Sequence, residues 1–170
     1  MKDGKRCLEK EREALLKIKY ELIDEYGQFS SWENHKDKKD CYEWRGFLCN
    51  NLTNHIIELD PNGLYENGEK RIAIAPPRGN ISIWLLEIQN LKHLDLSFND
   101  FDYIRIPQFI GSLCKLQYLD LSHSNFSGEI SRHLGNLSQL QFLGLDTDDG
   151  MLTSTNIDWL SRLHSLSYRS

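Results

Sequence analysis

Apolar residues recur through the second half of this chain at a fixed long interval. Leu94, Leu119 and Leu143 are separated by 25 and 24 residues, and the columns Leu96, Leu121, Leu145 and Ile88, Leu113, Leu137 repeat the same two steps. Each unit reads L-x-x-L-x-L-x-x-N/S/D-x-F, followed by I-x-x-x-L/I-G-x-L. The L-x-L core predicts a short strand with alternate side chains inward, and the later leucines cover the opposite side of a flattened coil. One such coil cannot bury its own leucines, so neighbouring copies must stack. Ahead of the repeats the period changes. Between Glu11 and Tyr26, Ala14, Leu15, Ile18, Leu22 and Ile23 fall on one face at helical spacing, with Gly27 placed to end the helix.

A period of about 20 to 29 residues with this spelling is the leucine-rich repeat, so the expected fold is an α/β repeat: a short curved parallel sheet in a solenoid, closed at its start by a helical cap. The cap takes residues 1–55 and the repeats 56–170, as one irregular unit, two regular ones and a partial one carried by Leu160, Leu163 and Leu166. Arg169 falls at the next inward position. The insertion at 61–79 and Pro61, at an expected leucine position, make the first unit irregular. Inside the coil, Asn99, Ser124 and Asp148 occupy the slot after the strand, where a side chain can bond the adjacent backbone turn. Phe101 and Phe126 are expected to stack through the interior, and Trp32 and Trp44 to fill the joint between cap and first repeat.

The segments "FSGEI" with "LGNL" at 134–137, and "IPQFIGSL" at 106–113, resemble the plant-specific type of leucine-rich repeat, whose S/T-G-x-I-P step adds a second short sheet. Ser131 stands where that proline is expected, and the first full unit lacks the glycine. The stretch from Cys7 to Cys49 resembles the N-terminal cap of plant receptor-like proteins and receptor kinases, closest to the receptor-like proteins typified by ethylene-inducing xylanase receptors. The family's cap holds two disulfides, one from an early cysteine to the first of an adjacent pair, the other from the second of the pair to a cysteine seven residues on. Here the pair reads Cys41-Tyr42, so the resemblance implies either Cys7 with Cys41, which is favoured, or Cys41 with Cys49; Cys114 is a free thiol. No C-x-x-C is present, and no metal site or cofactor is expected.

Charge and composition narrow the function further. A formal net charge of −5 and a mean hydropathy of −0.53 offer no basic footprint for nucleic acid and no span long enough to cross a bilayer. Four N-glycosylation acceptors, at Asn51, Asn80, Asn125 and Asn136, together with the cap cysteines point outside the cell. The amino terminus lacks the apolar core of a secretory signal, which sets the expectation of an incomplete version of a secreted or membrane-anchored protein.

With Leu119 and Leu121 inward, period 2 sends Tyr118, Asp120 and Ser122 to the concave face, in columns with His93, Asp95, Ser97 and with Phe142, Gly144, Asp146. Beside them lie Phe98, His123 and Thr147. The candidate ligand-binding set is therefore His93, Phe98, Tyr118, His123, Phe142 and Thr147, facing a protein or peptide. The aspartates and serines of "LDLS" read as repeat scaffold. Asp95 beside Asp120 superficially suggests a glycosidase pair, yet an open surface with no fixed third group and no nucleophile, zinc or phosphate-loop motif predicts a non-catalytic protein. The resemblance implies a recognition module of a receptor-like protein in plant defence signalling, on the extracellular side of the plasma membrane, with a kinase co-receptor as partner. The alternatives are a secreted inhibitor of a microbial enzyme, similar to polygalacturonase inhibitors, or a degenerate copy without a function of its own.

Overall fold

The computed structural model describes residues 7–33, 41, 44–61, 64–66, 69–71, 76–147 and 150–167, of which 64–66 and 69–71 are described as backbone only. Tyr42, Asp148 and Arg169 lie outside the described residues. One helix opens the chain, α1 (Glu9–Glu21), and short strands follow: β1 (Leu22–Ile23), β2 (Phe47–Cys49), β3 (Ile56–Leu59), β4 (Leu64–Glu66), β5 (Glu69–Arg71), β6 (Arg78–Gly79), β7 (His93–Asp95), β8 (Tyr118–Asp120), β9 (Gly128–Glu129), β10 (Phe142–Gly144) and β11 (Leu152–Thr153). Four 3-10 turns, Ile83–Glu87, Gln108–Ser112, Arg132–Asn136 and Asp158–Arg162, alternate with the later strands.

The repeats form a solenoid. β3, β7, β8 and β10 pair in parallel, and their inward leucines are in register: Leu59 with Leu94, Leu94 with Leu119, Leu119 with Leu143. Leu94, Leu119 and Leu121 are fully or nearly fully buried, as are Ile88, Leu113 and Leu137 at the ends of the 3-10 turns across the coil. Close stacking on that far side requires glycine. A Cβ on Gly111 would lie 2.2 Å from the His133 carbonyl oxygen of the next rung, and one on Gly135 would lie 2.8 Å from that of Trp159. In the interior, Phe101 and Phe126 stack with centroids 4.8 Å apart, both buried. Asn99 Nδ2 donates to the carbonyls of Leu96 and Ser97, while Ser124 Oγ accepts the Asn99 N–H and donates to Leu96 O, so the shorter side chain ties two rungs together.

The second sheet is present as the parallel pair β9–β11. The unit lacking the glycine adds no strand there; at that point Asp102 and Tyr103 take positive φ and the Ser127 N–H bonds Ile104 O. Ser131 holds φ −65 and ψ 122, close to the φ −63 and ψ 134 of Pro107 one rung earlier. Its hydroxyl also accepts the His133 N–H, a cap that proline cannot supply.

The cap differs from expectation at one place. The helix stops at Glu21, not Tyr26, because Leu22 turns extended (φ −100, ψ 140) and β1 pairs antiparallel with β6 across the irregular first unit. Ala14, Leu15 and Ile18 are buried as the pattern predicts, but Leu22 is only partly covered and Ile23 is exposed; Gly27, at φ +70, sits in the following turn. The hairpin β2–β3 closes the sheet edge, with Trp32 and Trp44 buried and stacked beneath it. Cys7 and Cys41 are joined as a disulfide, Cα atoms 5.9 Å apart, and Cys49 and Cys114 are free. At the opposite end Leu163 is buried while Leu160 and Leu166 are exposed.

What fastens helix to repeats is a buried carboxylate. Glu11, 4% exposed, accepts the Ile56 N–H at 2.7 Å and sits 2.9 Å from His55 Nδ1. Glu11→Ala leaves the Ile56 amide at the start of β3 unpaired inside the protein and is expected to cost about 1–3 kcal/mol, read as a lower urea midpoint at unchanged m-value, with Glu11→Gln costing less.

Candidate recognition surface

In-register pairing of β7, β8 and β10 sets His93 against Tyr118 and Tyr118 against Phe142. Their rings stack face to face along the concave sheet, at 4.0 Å and 6° for the first pair and 4.4 Å and 8° for the second. Phe98 and His123 form a second stack at 4.8 Å and 20°. Both of these residues sit at positive φ, 56° and 52°, immediately after the strand turn. An aromatic or imidazole side chain tolerates that conformation at a cost of about 1–2 kcal/mol, so the rung contacts must hold it. Thr147, half-buried, occupies the matching place on the next rung. All six candidate residues are half-buried, leaving ring edges and faces to solvent.

Between the two stacks runs a polar strip. Asp95, in the outward column with Asp120, is 6% exposed, and its Oδ1 accepts both the Ser97 N–H at 2.9 Å and the Ser97 hydroxyl at 2.6 Å. Asp120 repeats the arrangement with the Ser122 N–H at 3.0 Å, and its other oxygen accepts the Tyr118 hydroxyl at 3.2 Å. The aspartates of "LDLS" thus act as turn caps, in keeping with the scaffold reading. Gly144 ends the column, since a Cβ there would lie 2.2 Å from Asp120 Oδ1. His123 Nε2 stands 3.7 Å from Asp146 Oδ2.

The sequence pattern missed Glu58 and its neighbour Asp60. The register pairs Glu58 with His93, one rung before the aromatic stack, and the available signal was Leu59 falling in the inward column of Leu94. Burial first, then the charges of Asp120 and Asp95, the hydrogen bond to Asp120 and finally the charge of Asp60 push the Tyr118 phenol well above its ordinary range. Burial, then Glu11, pushes the half-buried Cys49 thiol up to about 11. The four acceptor asparagines, Asn51, Asn80, Asn125 and Asn136, are all exposed, with Asn125 Nδ2 donating to Asp100 Oδ1 at 2.9 Å. Among the described residues no cluster of three or more His, Cys, Asp and Glu is arranged to hold a metal ion, and no helix is long and apolar enough to cross a membrane.

Comparison with known proteins settles the family. The Leucine rich repeat N-terminal domain matches residues 8–50, and Leucine Rich Repeat units match 87–103 and 115–137. Receptor-like protein EIX1 of Solanum lycopersicum is 40% identical over 96% of this chain, and Receptor-like protein EIX2 of the same plant is 44% identical over 73%. This chain belongs to the leucine-rich-repeat receptor-like family. It spans 16% of the length of EIX1 and 12% of that of EIX2. Among solved structures, the BIR3–SERK2 complex from Arabidopsis thaliana is 28% identical with a TM-score of 0.69, covering 90% of this chain and 76% of that one. The fold is therefore that of a leucine-rich-repeat ectodomain.

The position of Tyr118 has a measurable consequence. Its raised pKa means the folded protein holds the phenolic proton more tightly than the unfolded chain does. The resulting stability is fully present below the unfolded value near 10 and is lost as pH rises beyond it. In an absorbance titration of the folded protein, one tyrosine is expected to ionise only after the others, and this late step should be missing in Tyr118→Phe. The urea midpoint of the wild type should also fall more between pH 9 and pH 11 than that of the variant.

Proposed function

We infer that this chain is a non-catalytic recognition module of a cell-surface receptor-like protein in plant defence signalling, and that its concave face takes a protein or peptide. The observation that carries the reading is the continuous ring stack His93–Tyr118–Phe142 with Phe98–His123 beside it. Interior packing gives no reason for five rings on outward positions, whereas a protein-binding surface uses such amphipathic side chains as anchors around which polar groups set register. The caps formed by Asp95 and Asp120 leave carboxylate oxygens in the strip between the stacks already hydrogen-bonded, so less of their acceptor capacity is open to a ligand.

Family membership supports the receptor setting, and the first two relatives are receptor-like proteins by name. The related BIR3–SERK2 structure is of a complex between two proteins, which supports a second protein as partner here, and the family resemblance makes that partner a kinase co-receptor. A bridged Cys7–Cys41 and four exposed acceptor asparagines support the extracellular side of the plasma membrane as the site of action.

Selection of a displayed random-peptide library on the secreted chain tests the recognition reading. Enriched peptides should carry aromatic or apolar anchors and lose at least tenfold in affinity on Tyr118→Ala or Phe142→Ala, as expected for truncating an interface anchor. No enrichment, or binders indifferent to both variants, removes the concave face as the site. Expression through a secretory pathway should further add endoglycosidase-sensitive mass, reduced stepwise as Asn51, Asn80, Asn125 and Asn136 are each changed to Gln. An exported chain of unshifted mass contradicts the extracellular assignment.

A further inference from the structure

A groove of about 780 Å³ runs along the flank of the solenoid, between the second sheet and the 3-10 turns. None of the concave-face residues lines it. Three successive rungs contribute one arginine each: Arg105, Arg132 and Arg162. All three are exposed, and among the described residues none makes an ion pair or a side-chain hydrogen bond. Their stems are nevertheless seated. A Cβ on Gly128 would lie 3.2 Å from Arg105 Cγ and Nε, and one on Gly135 would lie 3.4 Å from Arg162 Cδ, so glycines on neighbouring segments leave the space in which two of the arginines rest.

The groove is not uniformly basic. Glu129 and Asp158 also line it, but each is engaged by an uncharged partner, Glu129 by the Thr155 hydroxyl and Asp158 by Asn156 Nδ2 at 3.0 Å. Trp159, 5% exposed, is also part of the lining, and its indole N–H is buried without an acceptor among the described residues.

These features select a ligand chemistry. Unpaired guanidiniums offer planar, two-toothed recognition of carboxylates, and the three are spread along and across the groove, Arg105 ahead of its 3-10 turn, Arg132 at the start of the next and Arg162 at the end of the last. Two carboxylates in the same groove accept hydrogen bonds well from hydroxyl groups, of which a nucleic acid offers at most one per internal unit. An acidic peptide carries no such hydroxyls along its chain and would look for exposed aromatic anchors, and the groove's one tryptophan is buried. What remains is a chain with more than one hydroxyl and a carboxylate on each unit. We propose that the flank groove binds an acidic oligosaccharide, a short chain of uronate sugars, through Arg105, Arg132 and Arg162. Sugar hydroxyls meet Glu129 and Asp158, beside the wall that includes Trp159. The site is independent of the concave face, so one chain can engage a polypeptide on one surface and a charged polysaccharide on another.

Calorimetric titration of the chain with a linear galacturonic acid trimer tests the proposal, with its methyl ester, the neutral galactose trimer and an aspartate hexapeptide as comparisons. The acid trimer should bind at least tenfold more tightly than the other three probes. The combined Arg105→Gln, Arg132→Gln, Arg162→Gln variant should lose at least tenfold, and Arg132→Gln alone a smaller part. Unchanged circular dichroism and thermal midpoint show that folding is intact. Tryptophan fluorescence should shift on binding in the wild type and less in Trp159→Phe. Tyr118→Ala should bind the trimer normally. No detectable binding at millimolar trimer, equal binding of the ester or the neutral trimer, equal binding of the hexapeptide, or full affinity in the triple variant each overturns the proposal.

Discussion

Backbone approach between successive rungs is the constraint on which every other feature rests. Parallel strands pair at about 4.8 Å, and a solenoid gains its core only if the opposite side of each coil closes to a comparable distance. Gly111 and Gly135 permit that closure, since any side chain there would collide with the next rung's carbonyl. Once the spacing is set, each position is forced to meet its own copies. Leucines bury against leucines, Phe101 meets Phe126 and Ser124 reaches Leu96 O across the gap. The outward rings obey the same rule, because rung spacing falls close to the separation at which aromatic rings stack. The centroid distances of 4.0 Å and 4.4 Å in the concave stack therefore follow from backbone geometry, and information about a partner lies in the choice of residues.

The same rule carries a cost on the concave strip. Successive aspartates in one column bring like charges near each other, which destabilises paired strands. Local donors offset this: Ser97 supplies an amide and a hydroxyl to Asp95, and Ser122 and Tyr118 supply donors to Asp120. The column then ends at Gly144, where the Asp120 carboxylate occupies the space a side chain would need. Tyr118 thus has two roles that pull together. It is a ring in the stack and a donor to the aspartate beneath, and burial first, then the surrounding negative charge, keeps its phenol protonated. A neutral donor amid ring faces is a better surface for a peptide than a charged one.

Much of this was legible in the sequence because a repeat declares its own register. Three leucine columns sufficed to place His93, Tyr118 and Phe142 side by side, and the interior roles of Asn99, Phe101 and Phe126 followed from their distance to the strand. Legibility ended where the period ended. The helix was overextended to Tyr26 because its apolar spacing continues through Leu22 and Ile23, and only the long-range pairing with Arg78–Gly79 shows why the chain leaves the helix at Leu22. Glu58 was missed because the irregular first unit hid its alignment. Alternation put Asp95 in the outward column, but neither its low exposure nor its hydrogen bond to Ser97 could be read from the period. The arginine groove had no counterpart in the pattern at all. Arg105, Arg132 and Arg162 are 27 and 30 residues apart, spacings that match no leucine column, because each sits at a different point of its rung.

That mismatch bears on how one solenoid carries two surfaces. Strand positions are locked to the inward leucines, so the concave face can vary only in what it presents at fixed points. The flank is built from the segments between strand and 3-10 turn, where rungs differ in length and conformation: Ser131 replaces proline, and the interval from strand end to 3-10 turn is 13, 12 and then 14 residues in the three successive units. Trp159 takes the place against Gly135 that His133 takes against Gly111, and Arg162 lies against the same glycine. Variation that the core could not tolerate in a strand is thus absorbed on the flank, and it is there that a site of different chemistry can arise without disturbing the stack.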